Sequence, residues 1–163
     1  MVLHIKEIPE GHSVIEQKVT MTEEQIQDGN FCGEVFCHAE IERLQFQIFV
    51  RVRYTCTVNQ ECSRCLTAFE HPLAGEFSVI LQDKNAPESL GSDDVDYTFH
   101  DRDATVDIRQ SLYEEVVINA PIKPLCSDNC TGASEYIDTD TAKKEDDIDP
   151  RWEALKKLKE KKE

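Results

Sequence analysis

Apolar and polar residues alternate with a period of two along "EVFCHAEIERLQFQIFVRVRYTCTV", residues 34–58. Phe46, Ile48, Val50, Val52, Tyr54, Cys56 and Val58 fall on one face, and Gln45, Gln47, Arg51, Arg53, Thr55 and Thr57 on the other. That pattern predicts an antiparallel strand with one buried and one wet side. The first part, residues 35–41, reads as its partner strand, with the turn near Glu42 and Arg43. Shorter stretches, "LHIKEI" and "VIEQKVT", predict strands before it. "EFSVILQ" predicts one after it, with Phe77, Val79 and Leu81 on one face.

The period changes to that of a helix in two places. "TMTEEQIQDGN" has Thr20 or Thr22 as a cap and acids in its first turn, and it stops at Asp28-Gly29-Asn30, which predicts one or two helical turns. Ile108, Leu112 and Val116 recur at i, i+4, i+8 and form one apolar stripe. Asp107 is the expected N-cap of that helix, with Gln110 closing a capping box, and Pro121 and Pro124 end it. Between the two lies an acidic stretch, residues 83–103, with seven acids against two bases and a short strand expected around "VDYTFH". Residues 131–149 are polar and unpatterned and read as a linker. A last helix is expected from Asp149, with Pro150 at its first position and Trp152, Leu155 and Leu158 on its apolar edge.

The fold class expected is therefore α+β. An antiparallel sheet built from residues 2–82, open or closed into a barrel, packs against one central helix near residues 108–119. The chain divides into an α+β domain over 1–130, an acidic flexible linker over 131–149 and a basic C-terminal helix over 150–163. The whole chain has 163 residues and a formal net charge of −15, which disfavours binding to phosphate backbones over its whole surface. Residues 151–163 carry six basic and three acidic groups, so the positive charge is concentrated at that end. No apolar run reaches the roughly 20 residues of a membrane helix. "MVLHIKEIPEGHS" lacks the basic start and apolar centre of a secretory signal, so the expected location is cytoplasmic.

That location bears on the seven cysteines, because cytosolic thiols stay reduced. Cys62 and Cys65 form C-x2-C in "QECSRCLTAFEH"; Cys126 and Cys130 form C-x3-C in "IKPLCSDNCTG". Two such loops can supply four thiolates to one structural zinc ion, although the gap between the pairs far exceeds that of a compact finger. Two other readings stand beside it. Some of these cysteines could be core packing, as Cys56 is expected to be. A redox pair would need a helix start to lower the thiol pKa, and Pro72 makes "CSRCLTAFEHPL" a poor one, although Arg64 could depress a thiol. His71 reads as a loop histidine or a substitute ligand. No Gly-rich phosphate loop, H-E-x-x-H or G-x-S-x-G occurs.

"CSRCL" after an alternating strand, then "VDIRQSLYEEVVINAPIKPLCSDNCTG", then "DPRWEALKKL" together resemble the YceD family, the large ribosomal RNA subunit accumulation proteins. The resemblance implies a non-enzymatic cytoplasmic factor for large-subunit ribosomal RNA accumulation. Members are typically encoded beside a large-subunit ribosomal protein, so the implied partner is such a protein or precursor rRNA, with no membrane and no small-molecule substrate. Many relatives carry further cysteines after the second pair, where this chain has "TGASEY", so a zinc site here must use Cys62, Cys65, Cys126 and Cys130. Arg51, Arg53 and Arg64, expected to cluster near the strand end and the cysteine loop, and Arg151, Lys156 and Lys157 in the tail are the candidate partner contacts. Their other reading is pairing with nearby acids or a solvated helix face. The alternative function is a cytosolic zinc- or thiol-based redox or metal-handling protein. A Mg2+-dependent nuclease would need clustered carboxylates.

Overall fold

The long alternating stretch folds as two strands of a meander. β3, Val35–Arg43, and β4, Gln47–Glu61, pair antiparallel, so the turn falls at residues 44–46, just beyond the expected Glu42 and Arg43. A computed structural model of the chain describes residues 1–87, 90, 94–100 and 102–132. β2, Gly11–Val19, flanks β3, and β5, Ala68–Asp83, flanks β4. The β4–β5 register runs unbroken from Gln47 opposite Gln82 to Glu61 opposite Ala68. Only the second half of β5 is legible as a strand. His71, expected in a loop, and Pro72 lie within its first half, opposite Val58 and Thr57.

One expectation about the sheet, that its first strand lies in the meander, is corrected. β1, Val2–His4, does not join the meander; it pairs with β7, Thr105–Asp107, in a separate two-stranded sheet. The strand in the acidic stretch, β6, Tyr97–Phe99, pairs with β5 in parallel, so the five-stranded sheet is not wholly antiparallel. The strand order β2-β3-β4-β5-β6 is open, and the barrel alternative does not form. Beyond residue 132, the expected linker and the C-terminal helix, with Arg151, Lys156 and Lys157, lie outside the described residues.

The helix α1, Glu23–Gly29, is capped by Thr22, one of its two expected caps, in a capping box. The Thr22 hydroxyl accepts from the Gln25 N–H, and the Gln25 side chain accepts from the Thr22 N–H. The second helix, α2, Arg109–Asn119, starts differently. Asp107 accepts from the Arg109 N–H and pairs with its guanidinium, but Gln110 turns to Glu114 and Gln25, so the expected capping box is absent. Ile108, Leu112 and Val116 are at most 1% exposed and pack with Val35, Ala39, Ile41, Ile48, Val50, Val52 and Leu81. Burying each such side chain contributes about 1.5–3 kcal/mol. Tyr54 on β4 reaches α2, accepting from Asn119 Nδ2 at 3.0 Å and donating to the Glu115 carbonyl at 3.4 Å. Gly75 stands opposite Tyr54, and a Cβ there would lie 2.6 Å from the Tyr54 hydroxyl, so the ring requires a glycine at that position.

Candidate metal centre

The β4–β5 hairpin ends in the six-residue turn 62–67, which holds the first cysteine pair. The Cys62 N–H donates to the Thr67 carbonyl at 3.0 Å, and the Leu66 N–H donates to the Cys62 carbonyl at 2.9 Å. The chain reverses through Leu66 at a φ of +60°, a left-handed conformation unusual for leucine. No helix starts there, so the helix dipole that would activate a redox C-x-x-C is missing.

The second pair follows α2, after Pro121 and Pro124 have ended the helix. The Cys130 N–H donates to the Ser127 carbonyl at 3.1 Å, closing a turn over residues 127–130. Two hydrogen bonds tie this loop to the hairpin: Ser63 N–H to the Pro124 carbonyl at 2.9 Å, and Arg64 Nη1 to the Cys130 carbonyl at 3.0 Å. Thus Ser63 and Pro124, which carry no ligand chemistry in the sequence, help to set the site. The only sequence signal for them is their position beside the cysteines.

The result is that all four sulfurs lie within 4.8 Å of one another. Cys62 and Cys130 Sγ are 3.7 Å apart, as are Cys65 and Cys126 Sγ. All four are free thiols, too far apart for disulfides. With Zn–S near 2.3 Å, the sulfurs of a tetrahedral centre stand about 3.8 Å apart. The donor set and its spacing fit a thiophilic tetrahedral cation.

The electrostatics point the same way. Cys62 is fully buried, yet its thiol is lowered to about 6, because the N–H groups of Cys65, Cys126 and Arg64 surround its sulfur. Cys65 is lowered by the Thr67 hydroxyl and N–H. Cys126 is pushed up to about 12 by the sulfurs of Cys130, Cys62 and Cys65 crowding it. A thiolate cluster that its own members resist charging is one that a cation stabilises.

The remaining candidates are placed elsewhere. Arg51 and Arg53 project from the wet face of β4, roughly 26–33 Å along the strand from its end at Glu61, so they form no cluster with Arg64. Arg51 Nε lies 3.7 Å from Glu76, and Arg53 pairs with Glu40 and, at 4.0 Å, Glu76. The Arg64 guanidinium is used on the Cys130 carbonyl; its effect on Cys62 is through its backbone N–H. His71 makes an edge contact with Phe69 and is outside the sulfur cluster. Cys37 and Cys56 are buried in the core, each pushed up to about 11 by that burial. Among the described residues, no helix is long and apolar enough to cross a membrane.

The sequence pattern of a family described as "Large ribosomal RNA subunit accumulation protein YceD" matches residues 50–159. An uncharacterized protein of Mycobacterium leprae is 26% identical over 119 residues, 71% of this chain and 54% of its own length. Uncharacterized proteins of Mycobacterium bovis and Mycobacterium tuberculosis are 28% identical over 102 residues, 58% of this chain and 47% of theirs. The chain spans about half the length of these curated relatives. No solved structure matches it.

Proposed function

Because the chain belongs to the YceD family of large ribosomal RNA subunit accumulation proteins, we propose that it supports accumulation of that RNA as a binding factor and not as a catalyst. The family match over residues 50–159 carries this reading. The net charge of −15 selects among partners. It repels a phosphate backbone and attracts polycations, so the favoured partner is a basic large-subunit ribosomal protein, with precursor rRNA as the alternative.

In this reading Cys62, Cys65, Cys126 and Cys130 hold one zinc ion with a structural role. The ion would neutralise thiolate charge at a closed four-sulfur site, which leaves no position open for a substrate. The chain's own part is to fix the two loops through Ser63 and Arg64 and to supply N–H groups to the Cys62 sulfur. A redox or metal-handling role is the second reading, favoured by the exposure of Cys126.

Depleting the protein in cells tests the first reading. The ratio of large- to small-subunit ribosomal RNA is expected to fall and to be restored by the wild-type chain. Affinity capture is expected to recover a large-subunit ribosomal protein. An unchanged RNA ratio, with no large-subunit component captured, overturns the proposal. A thiol-exchange activity that Cys126→Ser abolishes while the RNA ratio holds would favour the second reading.

A further inference from the structure

β5 is sixteen residues long, but only residues 81–83 pair with β6. The rest of its outer edge has no strand partner among the described residues. The direction of its backbone groups follows from hydrogen bonds at the paired end. Ile80 donates its N–H to Asp96 Oδ2 at 2.8 Å and accepts from the Asp96 N–H at 3.0 Å, and the Lys84 N–H goes to the Phe99 carbonyl at 2.8 Å. The odd-numbered Asp83 instead donates to the Phe46 carbonyl on the β4 side. Even-numbered residues therefore face away from β4, and the unbroken register extends this parity along the strand. Pro72, which has no N–H to give, obeys it: it falls where only the open edge loses a donor. Ala74, Glu76 and Ser78 then present three N–H and three C=O groups outward.

Proteins usually blunt such an edge with lysines, bulges or short strands. β5 has no Lys or Arg, no bulge and an uninterrupted stretch after Pro72. Its charged side chains are the acids Glu70, Glu76 and Asp83, and Asp94 and Asp96 stand at the β6 end. Glu76 is shared with Arg51 and Arg53, so Glu70 and the aspartates near β6 carry the unbalanced charge. A second copy is a poor occupant, because two acidic edges on chains of −15 would face each other. The other edge, β2, carries Lys18 and lacks this bias.

We propose that the edge at Ala74, Glu76 and Ser78 accepts an extended, lysine- or arginine-rich polypeptide segment as an added β-strand. Main-chain hydrogen bonds supply the register, and the surrounding acids select a basic segment. The inference rests on the reading that the partner is a basic protein, but its test uses pure protein and does not depend on the cellular RNA ratio.

The probe is a synthetic ten-residue peptide alternating lysine and valine, with a glutamate–valine peptide as control, added to the isotope-labelled full chain with zinc present. The lysine peptide is expected to bind, to move the amide signals of residues 74, 76 and 78, and to slow their hydrogen exchange. Ala74→Pro and Ser78→Pro remove an outward N–H without touching the β4 ladder; each is expected to weaken binding about tenfold. Glu70→Lys, which alters no backbone group, is expected to weaken it severalfold and serves if the proline variants unfold. Unchanged binding by folded variants overturns the proposal. So do equal binding of the glutamate peptide, edge amides already protected in the protein alone, or a single-stranded RNA oligomer occupying the edge instead. Peptide binding without any change in the RNA ratio on depletion would sink the functional reading and leave this one standing.

Discussion

Cys56 on β4 and Cys62 at the start of the hairpin turn are six residues apart, and both are buried, at 7% and 0% exposure. Their thiols nonetheless shift in opposite directions. Cys56 faces the apolar core, and burial pushes it up to about 11. Cys62 faces three backbone N–H groups and is lowered to about 6. Burial alone makes a cysteine inert; burial among aimed donors makes it a candidate ligand. The same contrast separates two regions of the molecule. The sheet is held by apolar packing along a continuous register. The cysteine end is held by four sulfurs and two hydrogen bonds between segments more than sixty residues apart.

The largest expected effect breaks the cysteine end and spares the sheet. Cys62→Ser or Cys126→Ser is expected to abolish binding of one zinc per chain, measured by elemental analysis of the purified protein. Metal binding in small zinc modules contributes about 10 kcal/mol or more. Here the sheet has its own core, so the loss should be local: amides of residues 121–132 lose hydrogen-exchange protection and those of β3 and β4 keep it. Cys56→Ser is expected to retain the zinc. If it loses zinc as Cys62→Ser does, the distinction between the two cysteines fails.

Next in size is damage to the sheet that spares the cysteine end. Gly75→Ala puts a Cβ within 2.6 Å of the Tyr54 hydroxyl, against a ring held by Asn119. Tyr54 must move or lose that bond, a destabilisation of about 1–3 kcal/mol. Urea unfolding measures it, and zinc content should remain at one per chain.

Much of this contrast can be traced in the sequence. The alternation along β4 identifies the strand and its buried face, because period two is a local property and every inward residue from Ile48 to Val58 is buried. Ile108, Leu112 and Val116 likewise identify the buried side of α2. The first half of β5 is not legible. His71 reads as a loop residue and Pro72 only as a helix breaker, and these two and Gly75 are each explained only by a neighbour: Phe69, an open edge, and Tyr54. The parallel pairing of β6 and the union of β1 with β7 are long-range and leave no local pattern. The cysteine spacing marks two candidate half-sites. Their meeting depends on Ser63 and Arg64 reaching Pro124 and Cys130, which no spacing rule encodes.

A smaller effect concerns pH and the metal-free protein. The folded value of Cys62, about 6, lies below its ordinary 9.0. Its thiolate therefore adds stability that is full above about 9, declines as pH falls and is gone below about 6. Cys126, pushed up to about 12, acts oppositely: between about 9 and 12, rising pH forces a thiolate next to the other sulfurs and destabilises the fold. Thermal unfolding of chelated protein should show a loss on both sides of about 9. Thiolate absorbance should show a step near 6 that Cys62→Ser removes. The absence of any step near 6 in the wild type would mean that the N–H groups do not act on that sulfur.

The smallest expected effect has the opposite sign. Leu66 sits at a φ of +60° and is 66% exposed, so its side chain buries little while its backbone is strained. The left-handed conformation costs a non-glycine residue about 1–2 kcal/mol. Leu66→Gly removes that cost but gives the unfolded chain more freedom, worth about 0.5–1 kcal/mol. The net result is a gain of up to about 1.5 kcal/mol, measurable by urea unfolding of the zinc-loaded protein. The location of the gain tests the contrast between the two regions. Leu66 lies beside Cys65, so a relaxed turn should slow zinc release to a chelator while leaving hydrogen exchange in β3 and β4 unchanged. A stabilisation spread evenly through the sheet would mean that the hairpin tip and the core unfold as one unit, and the two regions would then not be energetically distinct.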